Sequence, residues 1–266
     1  MTEDVWLPDW NAELYASNTG HHRAYDDWFL TATPLQDDHR LVDLGCGSGD
    51  FTRTMADRVP SGEVVGVDPQ PGLLEEARRR AGSNQRFSVG TAQNLVAALD
   101  GEQFDGVVSR AALQWVPRED QRLVVDQVFA SIRDGGFFRL DMGGAGNIGS
   151  AVEVLDSLSA EFDGPSAPWC FPDAGWYLEL LESAGFDVRN GHVRTVAQRR
   201  PFTEESLRGW LDSQVLQAYE TEIDPRHHAE FRSRAHQDIG RFRRHDGSYD
   251  QTYVRLDALA WVPEIR

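Results

Sequence analysis

Arg40-Leu41-Val42-Asp43-Leu44-Gly45-Cys46-Gly47-Ser48-Gly49-Asp50-Phe51-Thr52 passes from a short apolar run into three glycines at alternate positions. Helical spacing follows, with Phe51, Met55 and Val59 four residues apart. Strand, glycine turn, helix is how an α/β sheet brings main chain close to a nucleoside-bearing ligand. Glycine has no Cβ, so Gly45, Gly47 and Gly49 allow positive φ and a close approach to bare backbone. A dinucleotide fingerprint would read GxGxxG, but Asp50 stands where that pattern wants glycine, and the spacing here is GxGxG. The next strand, Glu63-Val-Val-Gly-Val-Asp68, ends in an acid 19 residues past Gly49. A carboxylate there can accept both hydroxyls of a ribose. Turn and acid together still leave a dinucleotide and another nucleoside cofactor open.

The rhythm continues outward. Leu73, Leu74, Ala77 and Ala81 mark a second helix, Arg86–Gly90 a third strand, and Leu95, Val96 and Leu99 a short helical piece. Phe104–Ser109 reads as the fourth strand. The helix from Glu119 to Arg133 is expected to end at Gly135-Gly136, with Phe137–Met142 as the fifth strand. Such βα repeats imply a parallel sheet covered on both faces. The tail departs from this. A helical stripe runs from Ile148 to Phe162, a Pro/Trp-rich loop from Gly164 to Pro172, and another helix stops at Gly185 before a strand over Phe186–Val196. Helices starting at Thr203 and at Asp224-Pro225 come next. A final alternating strand, 252–262, places Val254, Leu256, Ala258, Ala260 and Val262 on one side. The expected fold is α/β: a Rossmann-like, seven-stranded, mostly parallel sheet with helices on both faces and a reversed last strand. Residues 1–34 form an N-terminal strap or lid, 35–143 the cofactor-binding core, and 144–266 the rest of the same domain, with a helical substrate cap inserted at about 201–247.

With 266 residues, 40% of them apolar, the chain can bury a large core. No apolar run approaches the ~18 residues of a membrane span. The start, Met1-Thr-Glu-Asp-Val-Trp6, is acidic where a signal peptide would be basic, so the expectation is a cytoplasmic, soluble protein. The formal charge is −17, and every Lys/Arg position is arginine. An acidic balance argues against nucleic acid, which needs clustered positive charge. Absence of lysine excludes Schiff-base and P-loop chemistry. The two cysteines, Cys46 and Cys170, form no CxxC pair. Cys46 is read as a small packing residue of the turn, since no base lies near it in sequence. No HxxxH or carboxylate cluster suggests a metal.

On these residues the sequence resembles the class I S-adenosylmethionine-dependent methyltransferases. Val42–Gly49, with Asp43 ahead of the glycines, matches the first motif of that family, and Val65-Gly-Val-Asp68 the second. Gly90-Thr-Ala-Gln-Asn-Leu95 matches a third that lines the adenine, and Phe104–Pro117 the fourth strand with its exit loop. Asp9-Trp-Asn-Ala-Glu-Leu-Tyr15, Leu113-Gln-Trp-Val-Pro117, Gly143-Gly-Ala-Gly-Asn-Ile148 and Trp169-Cys-Phe-Pro172 bring the likeness closest to trans-aconitate-methyltransferase-like proteins. The resemblance implies S-adenosyl-L-methionine as cofactor, S-adenosyl-L-homocysteine as product, and a small organic acceptor. It implies a cofactor site of Asp43, the 45–49 turn, Asp68 with Pro69, and Ala92 with Gln93, and it places the methionyl end near Ser109 and Arg110. Two departures stand out: Thr91 replaces the usual acid, so that Gln93 is left to meet the adenine amine, and Arg110 is an unusual cation whose alternative is a pair with Asp141.

Methyl transfer from a sulfonium needs in-line placement and exclusion of water, and a base only where the nucleophile must lose a proton. A carboxylate acceptor needs none. For a hydroxyl acceptor, His21 or His22 is the candidate base. O-methylation is favoured, with N- and C-methylation as further options. Arg23 and Tyr15 are candidates for the cofactor carboxylate or the substrate, and Trp115, Trp169 and Phe171 for an aromatic substrate pocket. Trp210, on a helical stripe, reads as core; His227, His228, His236 and His245 read as solvated. The rival readings are a dinucleotide oxidoreductase, and a protein that binds the cofactor without transferring its methyl. Substrate identity and oligomeric state are not legible.

Overall fold

The computed structural model describes residues 27–264. They divide into two compact units, one of residues 27–145, 170–196 and 255–264, the other of 146–169 and 197–254. A seven-stranded sheet has the order β3-β2-β1-β4-β5-β7-β6. Its strands are β1 (Arg40–Leu44), β2 (Glu63–Asp68), β3 (Gln85–Val89), β4 (Phe104–Arg110), β5 (Ile132–Gly143), β6 (Asp187–Phe202) and β7 (Tyr249–Trp261). Strands β1 to β5 pair in parallel, and β7 runs antiparallel to β5, with Phe137 opposite Trp261 and Gly143 opposite Arg255. The expected sheet is present, reversed strand included. Among the described residues, no helix is long and apolar enough to cross a membrane.

Alternation within each strand feeds two cores. Val42, Val65, Val107, Phe138, Leu140, Leu256, Ala258 and Ala260 pack with Val124 and Val128 of α4 (Gln121–Ala130) and with Tyr177 and Leu181 of α6 (Ala174–Ala184). Their neighbours Leu41, Val64, Val108, Phe137 and Leu259 pack on the other side with Met55 of α1 (Asp50–Ala56) and with Phe29 and Leu30. Each fully buried Val, Leu or Phe is worth roughly 1.5–3 kcal/mol. Burial on both faces is why β2 reads as a continuous apolar run. Because β1 to β4 are parallel, their carboxyl ends reach one edge together, where the glycine turn, Asp68, the exit of β3 and Arg110 emerge.

The boundary between α4 and β5 departs from the expectation. The helix ends at Ala130, where Ser131 caps it and its hydroxyl returns to the Gln127 carbonyl at 2.9 Å. Strand β5 begins at Ile132, so Gly135 and Gly136 lie inside the strand instead of ending the helix. The register against β4 shifts from Phe104–Ile132 to Gly106–Phe137, and the glycines make that irregularity. Gly135 has φ +75°, and a Cβ on Gly136 would lie 2.7 Å from the Asp105 carbonyl oxygen. Glycine is therefore required here for a bulge, a signal locally identical to a helix stop.

The second unit is mostly helical: α5 (Gly149–Ala160), α7 (Glu204–Trp210), α8 (Leu216–Glu220) and α9 (His228–Ile239). Thr203 caps α7 by accepting from the Ser206 N–H at 3.2 Å. Asp224 accepts from the Arg226 N–H, with Pro225 at the first position, as the Asp-Pro pair predicts. Between α7 and α8 the helix widens into a π-turn, Leu211–Val215. Leu155, Tyr219 and Phe231 are buried, and the Tyr219 hydroxyl donates to Asp156 at 2.8 Å. Trp210 is buried against Phe202, as its helical position suggested. His236 is not solvated: its Nε2 sits 3.0 Å from Asp212, a carboxylate that also meets Arg232.

Candidate cofactor site at the glycine turn

The turn is built on main-chain bonds. Gly45 and Cys46 N–H donate to the Val67 carbonyl at 2.8 and 3.2 Å, tying the end of β1 to the end of β2, and Gly49 N–H closes onto the Cys46 carbonyl. All three glycines have positive φ: +81°, +52° and +79°. Their surroundings differ. A Cβ on Gly45 would lie 2.2 Å from the Ala112 Cβ, and one on Gly49 would lie 3.0 Å from Ala77 and Phe87, whereas one on Gly47 meets nothing within 4 Å. Gly45 and Gly49 are thus glycines for packing. Gly47 is a glycine beside open space.

Asp68 ends β2 against this turn. Its Oδ2 accepts from the Gly47 N–H and its Oδ1 from the Gln70 N–H, each at 2.9 Å. Burial pushes its pKa up, and the two N–H bonds pull against that shift without cancelling it. The second-motif aspartate thus faces the turn with both oxygens oriented and with acceptor capacity left over. Asp43 plays a different part. It is buried under the turn, and its Oδ2 accepts from the Thr52 hydroxyl at 2.6 Å, joining β1 to α1. Thr52 was not singled out from the sequence; a hydroxyl on the inner face of the following helix is its only trace. Burial, with the Asp43 and Asp68 charges adding to it, pushes the Cys46 thiol well up, which keeps it protonated and unreactive.

The other positions are distributed as follows. Pro69 follows Asp68 and is half-buried. Ala92 is buried in the core, and Gln93 beside it donates from Nε2 to Asp120 at 3.2 Å. Ser109 is fully buried, its hydroxyl donating to the Leu44 carbonyl at 2.8 Å, so it locks β4 to β1. The Arg110 guanidinium lies 5.4 Å above the Phe51 ring, and Asp141 accepts from Arg255 at 2.6 and 3.0 Å. Trp115, in the turn after β4, is half-buried, as is Phe171. Trp169, in the other unit, packs edge-on to Tyr219 at 6.0 Å. Tyr15, His21, His22 and Arg23 lie outside the described residues.

Residues 41–136 match the family model described as a methyltransferase domain. An uncharacterized methyltransferase of Schizosaccharomyces pombe, C70.08c, is 30% identical over 221 residues, covering 80% of this chain and 81% of that protein. This chain belongs to the S-adenosylmethionine-dependent methyltransferases. Within them it stands near the trans-aconitate 2-methyltransferases: that of Variovorax paradoxus is 29% identical over 70% of this chain and 72% of its own length. The YcgJ protein of Bacillus subtilis shares the fold, with a TM-score of 0.63 at 18% identity over 92% of this chain and the whole of that one. The cofactor of this methyltransferase is S-adenosylmethionine.

The residues present suit that group. Open space beside Gly47 leaves bare backbone next to an oriented, buried carboxylate, which is what a ribose-bearing ligand requires. The glycines make a divided expectation. Gly45→Ala combines positive φ with overlap on Ala112 and is expected to lower stability by about 2–5 kcal/mol. Gly47→Ala has room, so it is expected to cost the fold only the backbone penalty of about 1–2 kcal/mol, yet to abolish measurable S-adenosylhomocysteine binding. Urea unfolding and calorimetry on the two variants check this; equal losses of affinity relative to stability would refute it.

Proposed function

We propose that this methyltransferase esterifies a small organic acid, placing the methyl on a carboxylate oxygen. The observation that supports this reading is the likeness to trans-aconitate 2-methyltransferases over most of the chain, including Methylobacterium radiotolerans at 27% identity over 85% of it. The bound cofactor supplies an electrophilic methyl on a positively charged sulfur. Asp68 holds the ribose hydroxyls, the 45–49 turn and Asp43 shape the floor, and Arg23, Ser109 and Arg110 serve the methionyl end. The N-terminal segment, 1–34, and the helical part at about 201–247 act as substrate cap, with Tyr15, Trp115, Trp169 and Phe171 contacting the acceptor. The enzyme is read as cytoplasmic and acting on a dissolved metabolite.

A carboxylate acceptor has already lost its proton at neutral pH, so the oxygen–carbon bond forms with no proton to remove. His21 and His22 are then dispensable. With an unsaturated tricarboxylic acid as acceptor, His21→Ala and His22→Ala are expected to keep kcat within about threefold, and wild-type kcat to stay flat across the histidine range of about 6–7. The product should be one methyl heavier and release methanol in alkali, as an ester does. An alkali-stable product, with kcat rising through the histidine range and lost in one His variant, would instead establish a hydroxyl acceptor with that histidine as its base.

A further inference from the structure

We infer that Asp120 sets the direction of the Gln93 amide and so makes the site select a 6-amino purine. The inference rests on the reading that the nucleoside lies against Asp68. Gly90 N–H donates to the Asp68 carbonyl at 3.2 Å, so the exit of β3 begins beside the ribose carboxylate, and Gln93 follows three residues on. Ligands of an open parallel sheet lie in the crevice outside the strand carboxyl ends. A base attached to a ribose at Asp68 therefore reaches the short turn Ala92–Asn94 that carries Gln93.

Position 91 offers that base no carboxylate. Thr91 serves the turn itself: its N–H donates to Asn94 Oδ1 at 2.8 Å, and its carbonyl accepts from the Asn94 N–H. Gln93 is different, because a primary amide carries a donor on one branch and an acceptor on the other. Left to rotate, it would suit either a 6-amino or a 6-oxo purine. Asp120 removes the choice. A carboxylate oxygen accepts only, so the branch facing Asp120 Oδ2 at 3.2 Å has to be the amide nitrogen. The Gln93 carbonyl is then turned away from Asp120 as a fixed acceptor. An exocyclic amine matches it, and a 6-oxo group would set acceptor against acceptor. Asp120 is a positioning residue in this account, acting through Gln93 from the turn Arg118–Asp120 that leads into α4.

The experiment is calorimetric titration of the full-length protein with S-adenosylhomocysteine and with its 6-oxo counterpart, S-inosylhomocysteine. Wild type is expected to prefer the 6-amino ligand by about tenfold or more. Asp120→Ala should cut that preference to about threefold or less, mainly by tighter binding of the 6-oxo ligand once the amide can flip. Asp120→Asn, whose amide can donate as well as accept, no longer fixes the Gln93 amide and should lose the preference much as Asp120→Ala does. A variant that weakens both ligands equally and keeps their ratio would show Asp120 to be merely structural and overturn the inference. If Gln93→Ala changes neither ligand while Asp68→Ala abolishes binding, the base lies elsewhere and only this inference falls. If Asp68→Ala has no effect, the reading beneath it falls as well.

Discussion

Asp68→Ala is expected to weaken S-adenosylhomocysteine binding by about 2–4 kcal/mol, roughly 30- to 1,000-fold. The carboxylate is held from behind by Gly47 N–H on one oxygen and Gln70 N–H on the other, so both oxygens present their remaining lone pairs in a fixed direction. Two ribose hydroxyls can then be met by charge-assisted bonds with little ordering cost. Asp68→Asn should lose nearly as much, since its amide nitrogen would face one of the two N–H donors. Acid should reproduce part of the loss. The folded pKa is raised, chiefly by burial, so the fold binds the proton more readily than the unfolded chain does. Ionising Asp68 therefore costs the fold some stability as pH rises from the ordinary carboxylate value to the raised one. For the ligand the sign is opposite: affinity is full above the raised value and falls as pH drops through it, because a protonated oxygen no longer accepts. Calorimetry from pH 4 to 8 on wild type and Asp68→Ala checks both statements. An Asp68→Ala affinity within threefold of wild type would sink the assignment.

That this carboxylate was legible in the sequence, while other parts of the site were not, has a physical reason. Glycine turn and strand-end acid are local signals: 45, 47 and 49 need positive φ, and a strand ending in Asp68 needs only its own six residues. The Gly185 cap and the Asp224-Pro225 helix start are local in the same way. The Gly135-Gly136 bulge failed as a prediction because a glycine pair after a helix looks the same whether it ends the helix or bends the next strand. The π-turn after Trp210 has no spacing signature within an apolar stripe. Long-range pairs leave still less. Gln93 meets Asp120 across 27 residues, and Asp141 meets Arg255 across 114, with nothing near either residue to announce its partner. Arg139, in the apolar run Phe137-Phe-Arg-Leu140, shows the difficulty most clearly. An arginine there reads as an exception to the pattern until its partner is known.

That partner makes Asp257→Ala the substitution expected to cost the fold most, about 3–5 kcal/mol. Arg139 of β5 and Asp257 of β7 are both completely buried. The guanidinium lies 4.1 Å over the Phe29 ring; its Nη1 donates to the Asp257 carboxylate and to the Ala258 carbonyl at 2.9 Å. His192 and Arg194 of β6 reach the other carboxylate oxygen, each at 2.9 Å, so one carboxylate links three adjacent strands. Without it, a desolvated cation remains in an apolar layer with no counter-charge. The cost arises from that stranded charge more than from the lost attraction, so it can be tested by removing both partners. Arg139→Met with Asp257→Leu should recover most of the stability lost in Asp257→Ala, since a packed apolar pair has no desolvation to offset. Acid should act on the same carboxylate. Burial alone would raise its pKa, but the His192 bond and the attraction and bond of Arg139 outweigh it and hold the group below the usual carboxylate range. Its contribution is therefore fully present above the unfolded value near 4 and is lost as pH falls through the lower folded value. Urea unfolding at neutral and acid pH should show wild type losing its advantage over Asp257→Ala as pH falls, because the protonated carboxyl strands the same Arg139 charge. A single variant within 1 kcal/mol of wild type at neutral pH would mean that relaxation or water reaches Arg139, and that the sheet does not depend on this buried pair.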